Sequence, residues 1–178
     1  MSKTGMNSDK MKAIVASYWR YVRQCPMVAL EANCQLEAFN DGGQADVLVI
    51  SKDGLLIETE VKVSLDDFRR DRHKLKHRHL KENDGRWPTH YFYFAVPYVI
   101  ANKVGMLCEQ LYPYAGVLGT RGGDEYDVEV YRQPRVRIAK KLSLLQVTRM
   151  AREQSATLCR LAKEVAELRA KRAELGGN

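Results

Sequence analysis

One pair of segments limits the possible folds of this chain more than any other. Ala45-Asp46-Val47-Leu48-Val49-Ile50 is a short apolar run, and Leu55 to Val63 is a longer alternating one. Ser51-Lys52-Asp53-Gly54 lies between them, with Gly54 free to take positive φ. The expectation is a β-hairpin. Alternation along the returning strand sends Leu55, Ile57, Thr59, Val61 and Val63 to one face, suited to a core, and Glu58, Glu60 and Lys62 to the other. Residues equidistant from the turn lie opposite one another, so Asp46 should stand near Glu60 or Val61. Two carboxylates from adjacent strands can converge on one divalent cation, which prefers hard oxygen ligands. Lys62 would stand beside that ion, where it can orient a water or offset charge on a phosphate.

The flanking segments extend the pattern. Asp9 to Gln24 has apolar residues at three-and-four spacing and reads as an amphipathic helix, started by Ser8 or Asp9 and ended before Pro26. Met27 to Phe39 reads as extended, with a turn at Asn40-Asp41-Gly42-Gly43. After the hairpin, Leu65 to Leu80 reads as a basic helix with Ser64 as its N-cap and Asp66 and Asp67 at the positive end of its dipole. Thr89 to Val96 is a nearly continuous apolar run, expected of a strand buried on both faces. A helix from Pro97 to about Leu111 and two strands around Gly122-Gly123 follow. The order helix, three-strand meander, helix, strand predicts a mixed α/β sheet flanked by helices.

Charge points to an anionic partner. The formal net charge is +7, and nucleic acid is the commonest partner of a basic chain without a signal sequence. Arg69, Arg70, Arg72, Lys74, Lys76 and Arg78 on the basic helix would neutralise phosphates without reading bases. No apolar run is long enough for a membrane span and no secretory stretch opens the chain, so a cytoplasmic setting, in a bacterial cell or a phage-infected host, is expected. The four cysteines have no CxxC pairing and read as small buried hydrophobes. His73 and His77 are one helical turn apart, but no cysteine completes a zinc set.

The constellation resembles a known superfamily. Asp46 followed by Glu60-Val61-Lys62 is similar to the core of the PD-(D/E)XK nucleases, with Ala45 in place of the motif proline. More narrowly, Glu60-x-Lys62 followed by Ser64, Asp67-Phe68 and Asp71, and then Tyr93-Phe94-Ala95-Val96, resembles MmcB-related DNA-repair proteins. The resemblance covers roughly residues 10 to 97 and implies a restriction-endonuclease-like fold, with the nuclease-like domain expected over residues 1–138, and a Mg²⁺-dependent deoxyribonuclease, with Mn²⁺ able to substitute. It implies Asp46, Glu60 and Lys62 as the catalytic core, and metal bound by Asp46, Glu60 and the carbonyl of Val61. An acidic residue ahead of the motif often joins that set; Glu31 and Glu37 both qualify, with Glu37 favoured. Asp67 and Asp71 are read as structural, and Glu58 as a residue standing behind the site. DNA repair, recombination and phage DNA processing are the settings such a nuclease fits. A DNA-binding protein that keeps the fold without turnover is the alternative.

Residues 139–178 are expected to form a long C-terminal helix. Leu144, Val147, Ala151, Leu158, Leu161, Val165, Leu168 and Leu175 alternate at three and four spacing, interrupted by Gln154 and Arg172. Two readings stay open: a coiled-coil homodimer, or a helix whose first half packs on the core while the rest is free.

Overall fold

The turn at Ser51–Gly54 forms as its residues require. Gly54 takes φ +74°, and Ser51 closes the turn through backbone bonds with Gly54 and Leu55. The computed structural model describes residues 6–32 and 44–176. On either side of the turn lie β2 (Ala45–Ile50) and β3 (Leu56–Val61), paired antiparallel with Val47 opposite Thr59. β1 (Met27–Ala32) adds antiparallel to β2, and β4 (Tyr91–Pro97) and β5 (Gly116–Thr120) add parallel beyond β3. β6 (Val128–Arg132) closes the row antiparallel, giving a six-stranded sheet in sequence order. The chain is thus a mixed α/β protein.

Helices cover both faces. α1 (Ser8–Ser17) is capped by Asn7, whose side chain accepts from the Lys10 amide, rather than by Ser8 or Asp9. It continues as a π-helical turn, Tyr18–Val22. Met11, Val15 and Trp19 pack there against Val47, Val49, Ile57 and Leu118. The opposite face carries Leu48, Leu56, Phe92 and Phe94, covered by Phe68, Val104, Tyr112 and Tyr114. Phe68 meets Phe94 edge-on at 4.9 Å. Every residue of β3 is buried, so the face bearing Glu58 and Glu60 lies under helices.

The basic segment is not one helix. α2 (Leu65–Arg70), capped by Ser64 as expected, gives way to a 3-10 turn, Asp71–His73. Lys74 then takes an extended conformation and α3 (Leu75–Glu82) starts afresh, ending at Asn83 in the left-handed region. That break turns Lys76, His77 and Leu80 toward the sheet. α4 (Tyr98–Leu111) follows β4 directly. α5 (Leu144–Gly176) is the long C-terminal helix. Its Met150 is fully buried in the core with Ala29 and Leu48, so its first turns pack with the body. No helix among the described residues is long and apolar enough to cross a membrane.

Strand boundaries differ modestly from expectation. β1 ends at Ala32, and the predicted continuation to Phe39, the turn at 40–43, Glu37 and Cys34 lie outside the described residues. Cys25 and Cys108 are buried as expected, whereas Cys159 is exposed on α5.

Candidate active site

Strand register builds an acidic row. Asp46 precedes the Val47–Thr59 pair and therefore sits opposite Glu60. Glu31 lies between the pairs Leu30–Val47 and Ala32–Ala45, hence opposite Asp46. Glu31, Asp46 and Glu60 thus follow one another across β1, β2 and β3. Glu31 holds φ +50°, a left-handed conformation unusual for a residue with a side chain. Asp46 Oδ2 accepts from the Val61 amide at 2.8 Å, which ties the two strands at the row.

Lys12 reaches into the row from α1. Its Nζ lies 2.7 Å from Glu31 Oε1 and 3.6 Å from Asp46 Oδ1. Burial first, then the nearby Glu60 charge, pushes the Asp46 carboxyl above its usual range, against the Val61 hydrogen bond and the Lys12 charge. A carboxylate held this way gains from an added cation. The ammonium between Glu31 and Asp46 already shows that these oxygens gather around positive charge. The donors are hard oxygens in a row, and they fit a divalent ion in kind.

Behind the row is a buried ionic cluster. Glu60 is 2% exposed, and its carboxylate meets three ammonium groups: Lys62 at 3.1 Å, Lys74 at 2.9 Å, and Lys76. Burial works to raise the Glu60 carboxyl, but the charges of Lys76 and Lys62 prevail and hold it below its usual range. Glu58 is saturated: Lys76 Nζ, Trp87 Nε1 and Thr89 Oγ1 each donate to it at 2.8 Å. Glu58 is therefore an anchor for Lys76 and the loop before β4.

Lys62 is held from its other side. Its Nζ lies 2.6 Å from Asp71 Oδ1, which also receives Lys74 at 2.8 Å. Asp71 Oδ2 bonds His77 Nε2 at 2.5 Å, and His77 Nδ1 meets the Tyr114 hydroxyl at 2.6 Å. Asp71 is ionised and can only accept, so His77 Nε2–H donates to it, while the Tyr114 hydroxyl, kept protonated by burial, shares a hydrogen bond with Nδ1. Burial opposes ionisation of Asp71, but the His77 hydrogen bond and the Lys62 charge hold its carboxyl well below the usual range. Asp71 thus fixes the predicted catalytic lysine. The structural role expected of Asp71 is played through Lys62, Lys74 and His77.

The predicted phosphate contacts divide. Arg69, Arg70, Arg72 and Arg78 are exposed, with Arg69 and Arg70 paired to Asp66 and Asp67 and Arg78 to Glu82. Lys74 is half-exposed but bonded to Glu60 and Asp71. Lys76 is 2% exposed, which corrects its placement on the phosphate-facing surface. His77 is likewise a core histidine, and His73 lies apart from it against Arg72. His79, Glu82 and Asp84 bring ligand atoms within 4.8 Å of one another at the end of α3.

Lys12, Tyr114 and the inward roles of Lys74 and Lys76 are not evident from the sequence. Lys12 carries a weak signal, since it directly follows Met11 on the apolar stripe of α1 and so stands near the sheet. Tyr114 carries none, because its partner His77 is 37 residues away.

No protein-family model matches the sequence, and no curated protein matches it either. Among solved structures, the chain is similar to the SPO1766 protein of unknown function from Silicibacter pomeroyi, with a TM-score of 0.58 at 18% identity. The match covers 92% of this chain and 94% of that one, and it supports the overall fold alone.

Proposed function

We propose that this chain is a metal-dependent nuclease that hydrolyses DNA phosphodiester bonds on a restriction-endonuclease-like fold. The carrying observation is the row Glu31–Asp46–Glu60 with Lys62 bonded to its inner member. Asp46 and Glu60 would hold Mg²⁺ or Mn²⁺, with the Val61 carbonyl as a further donor and Glu31 the acidic partner among the described residues. The ion would polarise a phosphoryl oxygen and acidify a water.

The chain's own groups supply the rest. Glu60 and Asp71 clamp Lys62 from two sides, so its ammonium is fixed before DNA arrives and needs no reorganisation as phosphate charge develops. Lys74, half-exposed, is the group best able to leave Glu60 and meet a phosphate. The exposed arginines of α2 and α3 grip the backbone without reading sequence.

A second reading rests on the same cluster. Glu60 is met by three lysines, which engage its oxygens from within the chain and favour a DNA-binding protein that retains the fold without turnover.

A panel of labelled DNA structures incubated with Mg²⁺ and Mn²⁺ tests both. Metal-dependent cutting that disappears in Asp46→Ala supports the nuclease; retention of DNA without cutting supports the alternative. Lys62 cannot coordinate a cation, so Lys62→Ala, checked for folding, should bind metal and DNA yet cut on the order of a hundredfold more slowly. Calorimetric metal titration and single-turnover cleavage on one sample measure this. Wild-type cleavage by either variant would remove the assigned site.

A further inference from the structure

We infer that the distal part of α5 is the interface of a parallel, in-register homodimer. At roughly 1.5 Å per residue, the 33-residue helix is on the order of 50 Å long. Val147 and Met150 pack on the core, but every described side chain from Leu158 onward is exposed. An apolar stripe is left uncovered: Leu158 is 68% exposed, Leu161 41%, Val165 44% and Leu168 65%. These four occupy successive a and d positions of a heptad repeat. Isolated helical segments of this length are marginal in water; Leu158 and Leu161 border an open cleft with Ala16, Tyr21 and Leu30 yet stay largely exposed, and Val165 and Leu168 are not part of its lining.

Charge selects a second copy as the occupant. With Leu158 and Val165 at a and Leu161 and Leu168 at d, Glu164 falls at g and Arg169 at e of the following heptad. In a parallel, in-register pair, g faces the partner's next e, so the two-fold axis creates two Glu164–Arg169 pairs flanking the Val165 and Leu168 layers. Arg172 then falls at an a position beyond them, where a polar residue sets register. A seam of four apolar layers lies at the small end of stable interfaces, so dimerisation should depend on concentration. This inference does not depend on the nuclease reading.

Sedimentation of the full chain over a range of concentrations should give a monomer–dimer equilibrium. Val165→Asp should give monomer at every concentration while leaving the fold intact, since Val165 is exposed. Glu164→Arg or Arg169→Glu should each weaken dimerisation about tenfold or more by placing like charges together, and the double exchange should restore it. For orientation, Leu161→Cys in a Cys159→Ser background should form an intermolecular disulfide, whereas Lys163→Cys on the outer face should not. A chain that stays monomeric throughout, or a dimer that survives Val165→Asp, would overturn the inference. A dimer that fails to cross-link through Leu161→Cys would overturn the parallel register.

Discussion

The basic segment after β3 contains two kinds of cation with opposite fates. Its arginines point outward: Arg70 is 77% exposed on its side chain, and Arg69, Arg72 and Arg78 are exposed as well. Its lysines turn inward, Lys76 completely and Lys74 in part, to carboxylates on β3 and at Asp71. The turn at Asp71–His73 separates the two, because restarting the helix at Leu75 rotates the following residues toward the sheet. A charge run therefore does not define a binding surface by itself. Where it follows a strand bearing buried acids, part of the positive charge belongs to the interior.

The largest test of that division is Lys76→Ala. It leaves Glu58 and Glu60 buried with too few cations, and breaking a buried pair from one side costs about 3–5 kcal/mol. Chemical denaturation should register the loss, while Arg70→Ala and Arg78→Ala each stay within about 0.5 kcal/mol of wild type. Equal effects on both sets would erase the distinction.

Acid provides the next test. The Asp71 carboxyl sits below its unfolded value, so the stability it contributes is complete above the unfolded carboxylate range. That contribution is lost as pH falls toward the depressed folded value. Thermal denaturation should show a plateau above about pH 5 and a steep decline below about pH 4. Asp71→Asn should be less stable at neutral pH and decline less steeply in acid. An acid limb unchanged by that substitution would assign the sensitivity elsewhere in the cluster.

The smallest effect on the fold should come from the outward arginines, where the effect moves to binding. Replacing Arg69, Arg70 and Arg72 together with Ala should leave stability nearly unchanged. It should flatten the salt dependence of DNA affinity by roughly 0.9 for each phosphate that is no longer neutralised, to a similar extent on unrelated sequences. An unchanged slope would move the DNA path to another face.

The hairpin, the Asp46–Glu60 register and the buried β4 run were legible because each follows from alternation and turn chemistry within a few residues. The burial of Glu58, Glu60 and Lys62 was not. Alternation separates two faces, but only the tertiary cover of α2 and α3 decides whether the polar face meets water. Reading residues 65 to 80 as one helix failed for a related reason: Asp71 bonds Lys62 and His77, and such long-range partners outweigh local helical preference. The favoured Glu37 lies outside the described residues, and it is Glu31 that the register places beside Asp46. Glu31 also holds a left-handed backbone within β1, which periodicity cannot reveal.

The packing of α5 against β1 also sets an order on how the molecule is made. β1 is an outer strand of the sheet, and Met150, near the start of the last helix, is buried against its Ala29. The two residues are separated by most of the chain. During synthesis the early strands emerge long before their cover, and closing a contact between such distant segments is slow. Until α5 arrives, the apolar face of β1 around Ala29 lacks the cover of Met150, and transiently exposed apolar surface promotes aggregation. The last helix therefore acts as a timed cover for the first strand, and a ribosome that stalls before Met150 should release a chain prone to aggregate.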